Sequence, residues 1–158
     1  TWEWHIKQDV VFDTSKAVDP MVKQYPHYKE AIEAFYGRFL EMINYKHEEN
    51  IDLALDLKKR GYQIYLLSNF PGDQFEKYRL QNSFIDQFDD RIISGDVGVM
   101  KPNPKIYELA IKKFNLIPEE TLFIDDKIEN TDSATKLGIK TIQLTNPKML
   151  TQLIKKYV

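Results

Sequence analysis

The sequence predicts an α/β fold, doubly wound about a parallel Rossmann-like sheet. Three observations carry the prediction. Short β-rich apolar runs alternate with helical patterns from residue 49 onward. The runs are apolar enough to be covered on both faces, as strands of a parallel sheet are. The helical patterns between them carry their own start and stop signals. Composition shifts near residue 48. Residues 1–48 hold both Trp and all three His and read as a small helical region; residues 49–158 read as the α/β core.

In the first region, Tyr28, Ile32, Phe35, Tyr36, Phe39 and Ile43 recur at steps of three and four, which places them on one face of a single helix. Pro26 marks its start. Asp13-Thr14-Ser15 forms an N-cap cluster for a shorter helix over 16–24, although Pro20 lies near its middle. Val10-Val11-Phe12 is the one strand-like run. In the second region a helix over 51–60 closes at Gly61. Strands follow at 63–67, 91–94, 121–124 and 141–144. Helices fall at about 73–81, from the Asn103-Pro104 cap pair to Phe114, up to Leu137 with Gly138 beyond it, and over 147–156.

Composition excludes several classes. With no Cys there is no disulfide, thiolate metal site or cysteine nucleophile, which fits a reducing, cytoplasmic setting. Lys plus Arg number 22 against 24 Asp plus Glu, so no bulk positive field marks nucleic acid or an anionic membrane as a partner. No apolar run approaches the ~20 residues of a membrane span.

Ligands of open parallel sheets bind beyond the carboxyl ends of the strands, so the residues there are the informative ones. Asp125-Asp126 follows an apolar strand. Two adjacent carboxylates suit a hard divalent cation such as Mg²⁺, or else a solvated turn that caps the next helix. Ser68-Asn69 ends another strand and offers a hydroxyl and an amide to an oxyanion, or to a helix end. Lys101 sits between Gly98 and the Pro102-Asn103-Pro104 helix start, as a point charge for a phosphate or carboxylate. Ser94 reads as structural. Each feature alone is weak; their order along the chain is specific.

That ordered set resembles the haloacid dehalogenase superfamily of hydrolases, and its phosphatase-like subgroup above all. Leu66-Leu67-Ser68-Asn69 is similar to the family's second motif. The stretch from Ser94 to Tyr107, with Lys101 within it, is similar to the third, and Leu122-Phe123-Ile124-Asp125-Asp126 with Asn130 to the acidic fourth. Leu137-Gly138-Ile139-Lys140-Thr141 also fits, and residues 1–48, with Trp4-His5 and Gln8-Asp9, resemble the family's helical cap. The resemblance implies a Mg²⁺-dependent phosphatase acting on a small phosphorylated metabolite. An Asp nucleophile forms an aspartyl phosphate and a second Asp two residues later serves as acid and base. It makes Ser68, Asn69 and Lys101 the catalytic and phosphate-binding residues, and Asp125 and Asp126 the metal ligands. Cap residues select the substrate, with Trp2, Trp4, His5, Tyr25 and His27 as candidates.

One motif is missing. The family's first strand, ending in Asp-x-Asp, precedes the cap and pairs with the strands that correspond here to 63–67 and 121–124. Asp13 is its only substitute, but Ser15 stands where the second Asp belongs, and Asp13 works well as a helix N-cap. The chain starts with Thr, not Met. The expectation is therefore a fragment without its nucleophile, catalytically inert alone, with a gap between those two strands or another segment filling it. Rival readings are a metal-free 2-haloacid dehalogenase, which the acid pair disfavours, and a non-catalytic pseudoenzyme or binding module. A receiver-type phosphoacceptor is disfavoured because there the acid pair comes first in the chain and Lys-Pro last.

Overall fold

A computed structural model describes residues 9–43 and 45–158. The helical region opens with α1 (Ser15–Gln24), which holds Pro20 within it, and α2 (Lys29–Gly37). The single helix expected over 28–43 is broken: after Gly37 the chain passes through Arg38 into a short 3₁₀ turn, Phe39–Met42. Only Ile32 and Tyr36, four apart, are buried on α2, so the helical stripe is two residues long. Val10–Phe12 is not a strand either. Its carbonyls serve another element: Val11 O accepts from Gly72 N–H and Phe12 O from Asp73 N–H. These are the first N–H groups of α4 (Gly72–Leu80), which no residue of that helix can satisfy.

The core runs α3 (Glu48–Lys59), β1 (Tyr65–Ser68), α4, β2 (Asp90–Ile93), α5 (Ser94–Val97), α6 (Pro104–Phe114), β3 (Leu122–Asp125), α7 (Ile128–Thr135), β4 (Lys140–Gln143) and α8 (Leu150–Ile154). The expected elements are present with ends shifted by one to three residues, and α5 is an addition, Ser94 opening a short helix where the strand was expected to end; the last helix is shorter, α8 being preceded by a 3₁₀ turn at Pro147–Met149. Helix ends follow their signals. Asn103 Oδ1 accepts from Lys105 N–H at 3.0 Å, and Pro104 takes the first helical position. At the end of α3, Gly61 adopts φ +98°, Gly61 N–H bonds Lys58 O and Tyr62 N–H bonds Leu57 O, which satisfies two orphan carbonyls.

β1 pairs with β2 in parallel, from Tyr65 opposite Asp90 to Ser68 opposite Ile93, and β3 with β4, from Leu122 opposite Lys140 to Asp125 opposite Gln143. Among the described residues β1 and β3 do not pair. A slot of about 530 Å³ separates them, walled by both strands and closed by side chains of α3, α6 and α8. The gap expected from the missing motif is thus present in the described structure.

Helix α6 holds the two sheets together beneath the slot. Its Phe114 stacks on Tyr65 of β1 at 4.3 Å, while Tyr107 meets Phe123 of β3 edge-on at 5.5 Å. Ile106, Tyr107, Ala110 and Phe114 are buried with Ile92, Ala134 and Ile139 in one cluster that also takes in Tyr65, Leu67 and Phe123. Leu66 and Ile93 point to the opposite face, into a second cluster with Phe75, Ile85 and Phe70. The alternation along β1 and β2 therefore covers both faces of that sheet, as a parallel sheet requires.

Candidate active site

The carboxyl ends of β1 and β3 face each other across the slot, and Lys101 spans them. Its Nζ donates to Leu67 O of β1 at 2.8 Å and to Asp125 Oδ2 of β3 at 2.7 Å. It also lies 5.5 Å from the centre of the Phe123 ring. The ion pair is buried: the side chains of Lys101 and Asp125 are 10% and 5% exposed.

Local sequence explains why Lys101 arrives there. Gly98 takes φ +67°, which ends α5 and turns the chain back toward β1. Asn69, just past β1, then clamps the returning backbone with both ends of its amide. Its Oδ1 accepts from Lys101 N–H and its Nδ2 donates to Lys101 O, each at 2.9 Å. Asn69 was expected to contact an oxyanion; the structure spends its amide on positioning Lys101. Ser68 ends β1, next to the carbonyl that Lys101 grips.

Both carboxylate oxygens of Asp125 have partners within the protein. Oδ2 takes Lys101, while Oδ1 accepts from Lys127 N–H at 2.9 Å and Asn130 Nδ2 at 2.8 Å. Burial pushes its carboxyl upward, and this is the largest single influence. The Lys101 charge and hydrogen bond, with the bonds from Lys127 and Asn130, outweigh it and hold the group below the usual carboxylate range. Asn130 is held in turn by Tyr107, whose hydroxyl donates to Asn130 O at 2.9 Å. Asp126 is exposed beside the pair.

Ser94 is fully buried and structural, as expected: Phe70 N–H donates to its hydroxyl at 2.9 Å, and the hydroxyl bonds Asp9 O. Thr14, not Asp13, is the N-cap residue of α1; Asp13 Oδ1 accepts from Ser15 N–H at 3.1 Å and from the Ser15 hydroxyl, an exposed local contact just before the helix. Of the candidate substrate-selecting residues, Trp2, Trp4 and His5 lie outside the described residues, while Tyr25 and His27 are exposed.

A pocket of about 440 Å³ opens beside Lys101. Asn69, Lys101 and Asn130 stand on its lining, as do Phe35, Tyr36 and Phe39 of the helical region. Those three aromatics were read from the sequence only as helix packing. Their i, i+1, i+4 spacing carried no sign that part of the row faces a cavity.

The donor set fits a hard cation in kind. Asp125 and Asp126 supply carboxylate oxygens, and Mg²⁺ commonly takes one or two of these and keeps several waters. In number the set is small: among the described residues no group of three or more His, Asp or Glu side chains comes together.

Comparison with known proteins settles the class. The sequence model of the haloacid dehalogenase-like hydrolases matches residues 7–138, and the chain belongs to that family. Among individual relatives it is 33% identical over 94 residues to a sesquiterpene phosphatase of Aspergillus oryzae, covering 60% of this chain and 48% of the relative. It is 32% identical over 124 residues to a D-ribitol-5-phosphate phosphatase of Bacteroides thetaiotaomicron, covering 75% and 58%. A HAD family enzyme of the same bacterium, solved in complex with magnesium and inorganic phosphate, superposes with a TM-score of 0.54 at 30% identity, over 60% of this chain and 50% of that one. The matched region spans about half the length of each of these three relatives.

Proposed function

We propose that the chain forms part of a Mg²⁺-dependent phosphatase for a small phosphorylated metabolite, with residues 1–48 as a cap over the 49–158 core. The nucleophile is carried by a strand that enters the slot between β1 and β3. The observation that carries the reading is the buried Lys101–Asp125 pair at the mouth of that slot, beside an open pocket. A parallel strand there would satisfy the free edges of β1 and β3 and end next to Lys101.

The chemistry then has defined parts. The first carboxylate of the incoming strand attacks phosphorus, and the ester oxygen departs with a proton from the strand's second carboxyl. Water, deprotonated by that same group, hydrolyses the aspartyl phosphate and releases inorganic phosphate. The Lys101 ammonium steadies the nucleophile and the phosphoryl oxygens; Ser68 donates its hydroxyl to one of those oxygens; Asn69 holds Lys101 in place. Asp125 and Asp126 would hold Mg²⁺, which when bound would neutralise phosphate charge.

The test is phosphate release from a panel of phosphomonoesters, by this chain alone and by the protein expressed from its full natural reading frame, with and without Mg²⁺. The full protein is expected to turn over only with Mg²⁺ and the isolated chain not at all. Equal activity of the two would refute the role given to the slot. Turnover that ignores metal and survives Asp126→Ala would refute the phosphatase and favour the dehalogenase-type reading.

A further inference from the structure

The pocket beside Lys101 is mixed: its lining combines the Lys101 cation, Asn69 and Asn130 and the charged Lys127 and Glu129 with the aromatic Phe35, Tyr36 and Phe39. Phe35 meets Tyr36 edge-on at 5.4 Å and Phe39 at 5.9 Å, Phe39 meets Phe70 at 5.4 Å, and Phe70 meets the buried Phe75 at 5.7 Å. The row thus runs from the pocket wall into the core and is held there by packing. Preorganised rings of this kind bind without a large ordering cost.

The neutral polar side chains of the lining are already engaged within the protein. Thr14 Oγ1 donates to Asp73 Oδ2 at 2.7 Å and accepts from Gln74 Nε2 at 3.0 Å. Both ends of the Asn69 amide hold Lys101, and Asn130 donates to Asp125. Besides Lys101, the charged side chains that a polyol would meet on the lining are Asp9, Lys127 and Glu129; laid against Phe35 and Phe39 themselves, its hydroxyls would trade water for ring faces, which is costly. An apolar group there gains by leaving water. A cavity of about 440 Å³ has the size of a small-molecule site.

We propose that the substrate is a phosphomonoester of an apolar, aromatic or polyunsaturated alcohol rather than of a polyol, with Phe35 and Phe39 as the residues that select it. This rests on the phosphatase reading above and adds the identity of the organic half.

The experiment compares kcat/KM of the full-reading-frame protein for 1-naphthyl phosphate and for ribitol 5-phosphate, in the wild type and in Phe39→Ala and Phe35→Leu. Calorimetric titration with naphthylmethylphosphonate and with inorganic phosphate runs in parallel. The naphthyl ester is expected to be preferred by about tenfold or more, and Phe39→Ala to shrink that ratio by about tenfold, chiefly through KM. Phe35→Leu keeps an apolar wall and should shrink it less, which guards against a variant that merely folds badly. A preference for the polyol ester, or a ratio unmoved in both variants, overturns the proposal. If no ester is turned over, the phosphatase reading falls and calorimetry decides the pocket alone. Naphthylmethylphosphonate binding about tenfold tighter than phosphate, and weakened by Phe39→Ala, upholds it; equal or absent binding overturns it.

Discussion

Replacing Lys101 by Met removes the charge that joins β1 to β3, and the structure sets the size of the effect. The ammonium is buried with two oxygen partners, at 2.7 Å and 2.8 Å. After Lys101→Met, Asp125 keeps Lys127 N–H and Asn130 but loses its counter-charge in a buried place. Breaking one side of such a pair costs about 3–5 kcal/mol, whereas an exposed pair such as Arg38–Glu41 is screened by water and contributes little. For a domain stabilised by roughly 5–15 kcal/mol, that is a large share. Asp125→Ala should cost as much, because it strands the ammonium with Leu67 O and the Phe123 ring alone. Removing both charges, in Lys101→Met with Asp125→Leu, should cost less than the sum of the single losses by about 2 kcal/mol or more. Urea unfolding with a common slope measures all three. The acid side has a definite sign: Asp125 is held below its ordinary range, so its contribution is complete above about pH 4 and is lost as pH falls through the depressed value. Additive single variants, each costing under about 1 kcal/mol, would refute the reasoning.

Three further outcomes follow from particular contacts. A Cβ on Gly95 would lie 2.3 Å from Gly72 N, 2.7 Å from Val11 O and 2.9 Å from Phe70 O, all main-chain atoms. Gly95→Ala should therefore cost about 3 kcal/mol or more in urea unfolding, while Gly37→Ala, with open space around it, should be near neutral. Burial pushes the Tyr36 phenol up to about 12 from the ordinary 10.0, so folding stability should be complete below pH 10 and fall as pH rises from there to about 12. The loss should be on the order of 3 kcal/mol, read by alkaline melts beside ultraviolet phenolate titration; a Tyr36→Phe variant that melts identically over that range would contradict it. Asn69→Ala should destabilise by about 2–3 kcal/mol, since it leaves both main-chain groups of Lys101 unpaired inside the protein. A melting midpoint within error of wild type would show that the clamp is idle.

The core was legible in the sequence because its signals are local. Caps such as Asn103-Pro104 and the apolar runs at β1 and β3 each state their element within a few residues. Asp125 and Lys101 were found because strand ends and loop geometry concentrate chemistry at one sheet edge. The Asn69 clamp on Lys101 was not legible: nothing local says that an amide will face a backbone 32 residues away. The helical region failed for the same kind of reason. Val10–Phe12 has strand composition, but the unsatisfied N–H groups of α4 decide what its carbonyls do. The stripe from Tyr28 to Ile43 was read as one helix because periodicity does not register a break at Arg38.

The seam between the two strand pairs frames the candidate site. Two parallel pairs of strands lie side by side without shared hydrogen bonds, joined below by α6 and at their carboxyl ends by Lys101. The inner edges of β1 and β3 present backbone donors and acceptors to an apolar slot, an arrangement that favours one occupant geometry: an extended strand. Whatever enters must end beside a fixed ammonium, so a carboxylate at that end would gain an attractive partner and a ready orientation. Structure and chemistry are then coupled. On the proposed reading, the strand that would complete the sheet would also bring the nucleophile, so that filling the slot and assembling the site are one event.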